Sequence, residues 1–136
     1  MRAGAAVAEL SRQRGLARRR LGTAAETVVA DYLEVEGFSI VGQNVRVGRL
    51  ELDIVARDGS LVVIVEVRTR GAGSYAGAFE SVDARKRQRI LRAADTLWRT
   101  QLRDVEGVER LRLDVAAVTF AADRVDVEYA EGALAA

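Results

Sequence analysis

Residues 50–70, LELDIVARDGSLVVIVEVRTR, limit what this chain can fold into more than any other stretch. Apolar residues fill two segments of strand length, split by the tight-turn signal Asp58-Gly59, so an antiparallel hairpin is expected. Charged residues interrupt it at Glu51, Asp53, Glu66 and Arg68. Side chains alternate between faces along a strand, which puts Glu51, Asp53 and Val55 on one face and Leu50, Leu52, Ile54 and Ala56 on the other. Glu66 and Arg68 share a face with Val62 and Ile64. A turn centred on Asp58-Gly59 pairs Arg57 with Ser60, Asp53 with Ile64 and Glu51 with Glu66. Asp53 is then the diagonal neighbour of Glu66, about 7–8 Å away. Arg49 and Arg68 pair at the same end.

Like charges directly opposite one another destabilise a sheet, and carboxylates on a half-buried face raise one another's pKa. Two resolutions fit the residues equally. Arg49 and Arg68 neutralise the acids at a solvated strand end, or a divalent cation sits among them. The chain has no Cys and no His. That excludes disulfides, thiolate and histidine catalysis, and zinc sites built from those ligands. A bound cation would have oxygen ligands only, which selects Mg²⁺, Mn²⁺ or Ca²⁺. Lys86 is the one lysine; the other basic residues are all Arg.

The order of elements around the hairpin is α-β-β-β-α-β with a short further strand. Ala25, Val28, Val29, Tyr32 and Leu33 recur at helical spacing over 21–36, with Gly37 as the stop. Strands are expected at 38–47, 49–56, 61–69 and 111–120, and a short one at 124–129. Ser81 or Asp83 caps a long helix reaching about residue 102, with Ile90, Leu91, Ala94, Leu97 and Trp98 on its apolar face. The glycine-rich GAGSYAGAF between the third strand and this helix reads as a mobile loop. Short turns join the first three strands into a meander, and the helix between the third and fourth favours a parallel crossover. The fold class is therefore α/β, a mixed sheet flanked by helices.

Length allows one domain, expected over 18–136, after a flexible extension at 1–17. Residues 1–20 carry six Arg against one Glu, while the chain as a whole is only +1. Any nucleic-acid contact must therefore come from local patches. The extension reads first as a solvated tail, and second as an arm touching phosphates. No run approaches the roughly 20 apolar residues of a membrane span, so no membrane partner and a cytoplasmic location are expected. Arg85, Lys86, Arg87, Gln88 and Arg89, with Arg92, crowd the start of the second helix. Cations there oppose the helix dipole, and a bound phosphate would resolve the conflict. The bland alternative is a solvated face. Tyr75 and Phe79 in the glycine-rich loop suit base stacking or packing against the domain; Trp98 reads as core.

Asp53 followed after the hairpin by Glu66-Val67-Arg68 resembles the PD-(D/E)xK nuclease motif. LGTAAETVVADYLEVEGFSIVGQNVR, LELDIVARDG, VVIVEVRTR, KRQRILRAA and LRLDVAAV stand in the same order as in the YraN-type family, bacterial proteins similar to Holliday-junction resolvases. The resemblance covers roughly residues 18 to 130. It implies a restriction-endonuclease-like core, with Asp53, Glu66 and Glu51 as ligands of Mg²⁺ or Mn²⁺. It also implies that Glu26 points back at the site from the first helix. Gln88 matches a polar helix residue displaced by one position, and Asp114 matches an acid on the fourth strand. The motif lysine is here Arg68, which stays protonated; it can clamp phosphate but cannot act as the base. The implied activity is a Mg²⁺-dependent endonuclease on DNA, resolvase-like on branched DNA, and so a homodimer. Two other readings stay open: a nucleic-acid-binding module of the same fold without catalysis, and a protein-interaction scaffold whose acids are paired with Arg.

Overall fold

The computed structural model describes residues 23–70 and 82–134. The expected N-terminal extension and the glycine-rich loop with Tyr75 and Phe79 lie outside the described residues. Helix α1 (Ala24–Val35) opens on a capping box. The Thr23 hydroxyl accepts from the Glu26 N–H, and the Glu26 carboxylate accepts from the Thr23 N–H. The expected stop is observed at Gly37, which takes φ +102. Strands β1 (Ser39–Val47), β2 (Leu50–Asp58) and β3 (Leu61–Arg70) follow as an antiparallel meander. Helix α2 (Ala84–Leu97) is capped by Asp83, whose carboxylate accepts from the Lys86 N–H. It does not run on as α-helix to residue 102. Its last turn, Trp98–Leu102, widens into a π-turn, closed by the Arg103 N–H donating to the Trp98 carbonyl. Strand β4 (Arg110–Phe120) returns parallel to β3, and β5 (Val125–Ala130) closes the sheet antiparallel.

The sheet order is β1-β2-β3-β4-β5. One face packs against α1 through Val29, Leu33, Ile54, Val63, Val65 and Val118. The other packs against α2 through Val55, Ile64, Ile90, Leu97, Leu102 and Val115. Central strand β3 is covered on both sides, which explains why 61–65 is a continuous apolar run rather than an alternating one.

The β2–β3 register differs from the expected one. Asp58 pairs with Leu61, and Gly59-Ser60 form the turn, with Gly59 at φ +60. Glycine in the first central position is the preference of a type II′ hairpin, whereas an Asp58-Gly59 centre would have needed positive φ at both residues. The pairing moves by two residues along one strand. An even shift keeps each side chain on its face. It brings Asp53, and not Glu51, to the step opposite Glu66, just beyond the Ile54–Val65 pair.

Arg57 ties this turn to the segment before β4. Its guanidinium donates to the Gly59 carbonyl at 2.7 Å and the Glu106 carbonyl at 3.0 Å. Gly107, at φ +84, lies so close that a Cβ there would stand 2.9 Å from the Arg57 guanidinium. Gly107→Ala should therefore cost about 1–2 kcal/mol from the left-handed backbone alone, more with the clash, measured by urea unfolding. Unchanged stability would refute the clamp.

Candidate active site

Asp53 and Glu66 lie where the sheet loses its regularity. Along β2, Leu50 and Leu52 pack on the α2 side, but Ile54 and Ala56 pack on the α1 side. Simple alternation, which placed all four on one face, fails between Leu52 and Ile54. Asp53 is the pivot. Across from it on β1, between the Val45–Leu52 and Gln43–Ile54 pairs, Asn44 takes φ +53. Asparagine tolerates this left-handed conformation better than most residues. The Asp53 carboxylate also turns to accept the Val67 N–H at 2.8 Å.

Glu66 is 3% exposed and faces the α2 side. Its Oε2 receives two cations: Lys86 Nζ at 3.2 Å and Arg68 Nη1 at 3.5 Å. Lys86 comes from the first turn of α2, held there by the Asp83 cap. Burial first, and then the Glu66 charge, push the Asp53 carboxyl from the ordinary value of 3.8 up to about 8. The Val67 N–H opposes that shift, and Glu26 adds to it. The pair therefore holds one acid that resists ionisation beside one carboxylate compensated by lysine and arginine.

Glu26 is brought to this region from α1. Its Oε1 accepts from Asn44 Nδ2 at 3.4 Å as well as from the Thr23 N–H. Burial raises its pKa, the Thr23 and Asn44 bonds lower it, and the charges of Glu51 and Glu66 raise it again. Glu51 stands differently. It pairs with Arg46 across β1–β2 at 3.1 Å, and its neighbours Leu50 and Leu52 face α2, so its side chain leaves on the α1 side. Among the described residues, no group of three or more potential ligand residues stands together. Asp53 and Glu66 form a pair, and Glu51 is engaged by Arg46, with its charge felt, like that of Glu66, at Glu26.

Asp114 is fully buried but engaged elsewhere. Arg112 reaches it with Nε at 2.9 Å and Nη2 at 3.0 Å, the Tyr129 hydroxyl donates at 2.6 Å and the Gly132 N–H at 2.8 Å. Tyr129 stacks on Tyr32 of α1 with ring centroids 5.2 Å apart. This network fastens β4, β5 and the turn after β5 on the α1 side. The β4 residue beside Glu66 is Val115, whose side chain lies on the α2 side.

At the start of α2, Arg85, Gln88 and Arg89 are exposed, and Lys86 and Arg87 are half-buried. The cap carboxyl of Asp83 is lowered, first by the Lys86 N–H bond and further by the positive charge of Arg89 and Arg85. Two features escaped the sequence reading. Asn44 links Glu26 to the strand opposite Asp53; the polar pair Gln43-Asn44 in the middle of a strand was its signal. The second is a cleft of about 470 Å³ between the β1–β2 turn and α2, in which Arg49 meets Arg89 and Arg92.

These features define an α/β protein with a mixed five-stranded sheet between two helices and an acid pair contacted by lysine and arginine. The chain belongs to UPF0102, described as an uncharacterised protein family, whose model matches residues 25–118. A UPF0102 protein of Sorangium cellulosum is 58% identical over 104 residues, covering 76% of this chain and 72% of its own. One of Anaeromyxobacter dehalogenans is 39% identical over 115 residues, covering 85% and 84%. One of Ectopseudomonas mendocina is 41% identical over 107 residues, covering 78% and 88%. Among solved structures, Pyrococcus furiosus SfsA in complex with Ca²⁺ is similar at TM-score 0.40 and 18% identity. That match covers 83% of this chain and 63% of the SfsA chain. Among the described residues, no helix is long and apolar enough to cross a membrane.

Proposed function

We propose that this protein is a metal-dependent nuclease with a restriction-endonuclease-like core, acting on DNA phosphodiesters and, as the resolvase resemblance suggests, on branched DNA. The observation that carries this reading is the pair of half-buried Asp53 and buried Glu66, with Lys86 Nζ 3.2 Å from Glu66. The motif position holds Arg68, but a lysine reaches the same carboxylate from α2. The all-oxygen donor set fits a hard cation. Among the described residues no third ligand residue is grouped with these two carboxylates, which suits Mg²⁺ or Mn²⁺, ions that keep waters and substrate phosphate in their shell, better than a Ca²⁺ cage. Burial and the neighbouring Glu66 charge raise the Asp53 pKa, and a bound cation would favour its ionised form.

Asp53 and Glu66 would hold the ion, and Glu26 with Asn44 would shape the negative field behind them. Such an ion supplies a more acidic water and polarises a phosphoryl oxygen. Arg68 would clamp a phosphate oxygen, and Lys86 would orient water and oppose the charge that develops on the phosphate. Arg85, Arg87, Gln88 and Arg89 would meet the neighbouring backbone. Symmetric cutting of two strands would require a homodimer.

The test is a cleavage screen on duplex, single-stranded, flap and four-way-junction DNA with Mg²⁺ and Mn²⁺. Wild type should cut at least one structure, and Asp53→Asn and Glu66→Gln should cut none. Wild type that binds these DNAs but cuts none with either metal would leave the binding-module reading in its place.

A further inference from the structure

We infer that the arginine-lined cleft between the β1–β2 turn and α2 is the seat of the DNA backbone flanking the scissile phosphate. This deepens the nuclease reading, on which it rests for its direction away from the acid pair. Gly48, at φ +60, makes the sharp turn that presents Arg49 over the helix. On α2 the cleft is lined by Arg89, Arg92, Ala93 and Thr96. These positions are spaced i, i+3, i+4 and i+7, a single stripe along one side of a helix. One turn further back on that stripe stands Lys86, in contact with Glu66. The stripe from Lys86 to Thr96 spans about 15 Å at 1.5 Å per residue. That is about four steps of one duplex strand at 3.4 Å per nucleotide.

The charge pattern supports an external anion. Elsewhere on the surface, Arg46, Arg99, Arg112 and Arg124 are each paired with a carboxylate of this chain at 2.9–3.1 Å, whereas Arg103 and Arg110 stand apart from one another without an ion pair among the described residues. Among the described residues, Arg49, Arg89 and Arg92 have no carboxylate within ion-pair distance. They converge instead on one concave space whose floor, at Ala93, is small. Planar guanidinium forks and a threonine hydroxyl are hydrogen-bond donors, and phosphate oxygens match them. Lys86 stands one helical turn before Arg89 and touches Glu66, so a strand seated in the cleft is directed along the helix toward the acid pair.

The experiment measures binding of labelled single-stranded and duplex oligonucleotides by fluorescence anisotropy in chelator, over a series of salt concentrations. The variants are Arg49→Gln/Arg92→Gln and a control that removes equal charge from paired sites, Arg99→Gln/Arg124→Gln; thermal melts verify that each is folded. The cleft variant should bind at least tenfold more weakly. Its slope of log affinity against log salt should fall by about 1.4 on single strands or about 1.8 on duplex, two lost phosphate contacts in either case. The control should keep the wild-type slope. An unchanged slope in the cleft variant, an equal loss in the control, or no binding by wild type would each overturn the inference. The cleavage screen is scored separately. A lost slope with no cleavage by wild type keeps the cleft and removes the nuclease, whereas cleavage with an unchanged slope does the reverse.

Discussion

Lys86→Met should abolish most cleavage, by about 10²–10³-fold in kcat, the usual effect of removing one preorganised charge from a transition state. Lys86 and Arg68 share the Oε2 atom of Glu66, at 3.2 Å and 3.5 Å. They are not equivalent. Arginine is protonated under all working conditions and spreads its charge over a plane; lysine is a compact ammonium with rotatable donors that can follow a moving water. Lys86→Arg should therefore keep DNA binding and the compensation of Glu66, yet recover little of the rate. Arg68→Lys restores the E-x-K pattern on β3 and should keep or raise cleavage. Arg68→Ala should lower it while largely sparing DNA binding. Melting curves separate chemistry from folding, since Glu66 retains one cation in either single variant. A Lys86→Met protein that cuts at the wild-type rate would remove Lys86 from the reaction and return the motif position, Arg68, as the sole cation.

That assignment shows what the sequence could and could not tell. The element order and the apolar faces of the two helices were readable, because apolar periodicity is local and the packing obeys it. The capping box at Thr23 and Glu26 and the cap at Asp83 are equally local. The hairpin was readable in outline but not in register. Asp58-Gly59 and Gly59-Ser60 are both good turn pairs, and only the backbone geometry at Gly59 decides between them. Asp53 and Glu66 met in spite of that error, since a shift of two residues preserves the face.

Glu51 is engaged by Arg46 across β1–β2. LELDI alternates without a break, and nothing in it announces that the faces exchange between Leu52 and Ile54. The exchange falls opposite a left-handed residue of another strand, Asn44. Lys86 is separated from Glu66 by 20 positions, and its approach depends on where the crossover lays α2 against the sheet. The arginine cleft is less local still, formed by a turn at Gly48 and a helix beginning at Ala84. Asp114 carried the same resemblance as Asp53 and Glu66. The sequence did not show that Arg112, Tyr129 and the Gly132 N–H would occupy it on the far face.

In chelator, the wild-type protein should be more stable at pH 5 than at pH 8, and Asp53→Asn should remove most of the difference. The folded-state pKa of Asp53 is raised from 3.8 to about 8, chiefly by burial and then by Glu66. Between those values the folded state binds more protons than the unfolded one, so stability falls as pH rises. The contribution is full below the unfolded pKa near 3.8 and gone above the folded pKa near 8. At about 1.4 kcal/mol per pKa unit, a shift of this size is worth a few kcal/mol, shared with the Glu66 charge that helps cause it. Asn keeps the size of the side chain without the charge, so at pH 8 in chelator the variant should melt higher than wild type. Mg²⁺ reverses the order. It must displace the Asp53 proton, so its stabilisation should grow from pH 5 to pH 8 and release protons on binding. At 100 times its Kd, a ligand bound only by the folded state adds about 2.7 kcal/mol, enough to offset much of the loss. Asp53→Asn should forfeit that gain. Urea melts at pH 5 and pH 8, with chelator and with Mg²⁺, decide the matter. Parallel curves for wild type and Asp53→Asn would mean that Asp53 ionises freely and that any Mg²⁺ bound is held elsewhere.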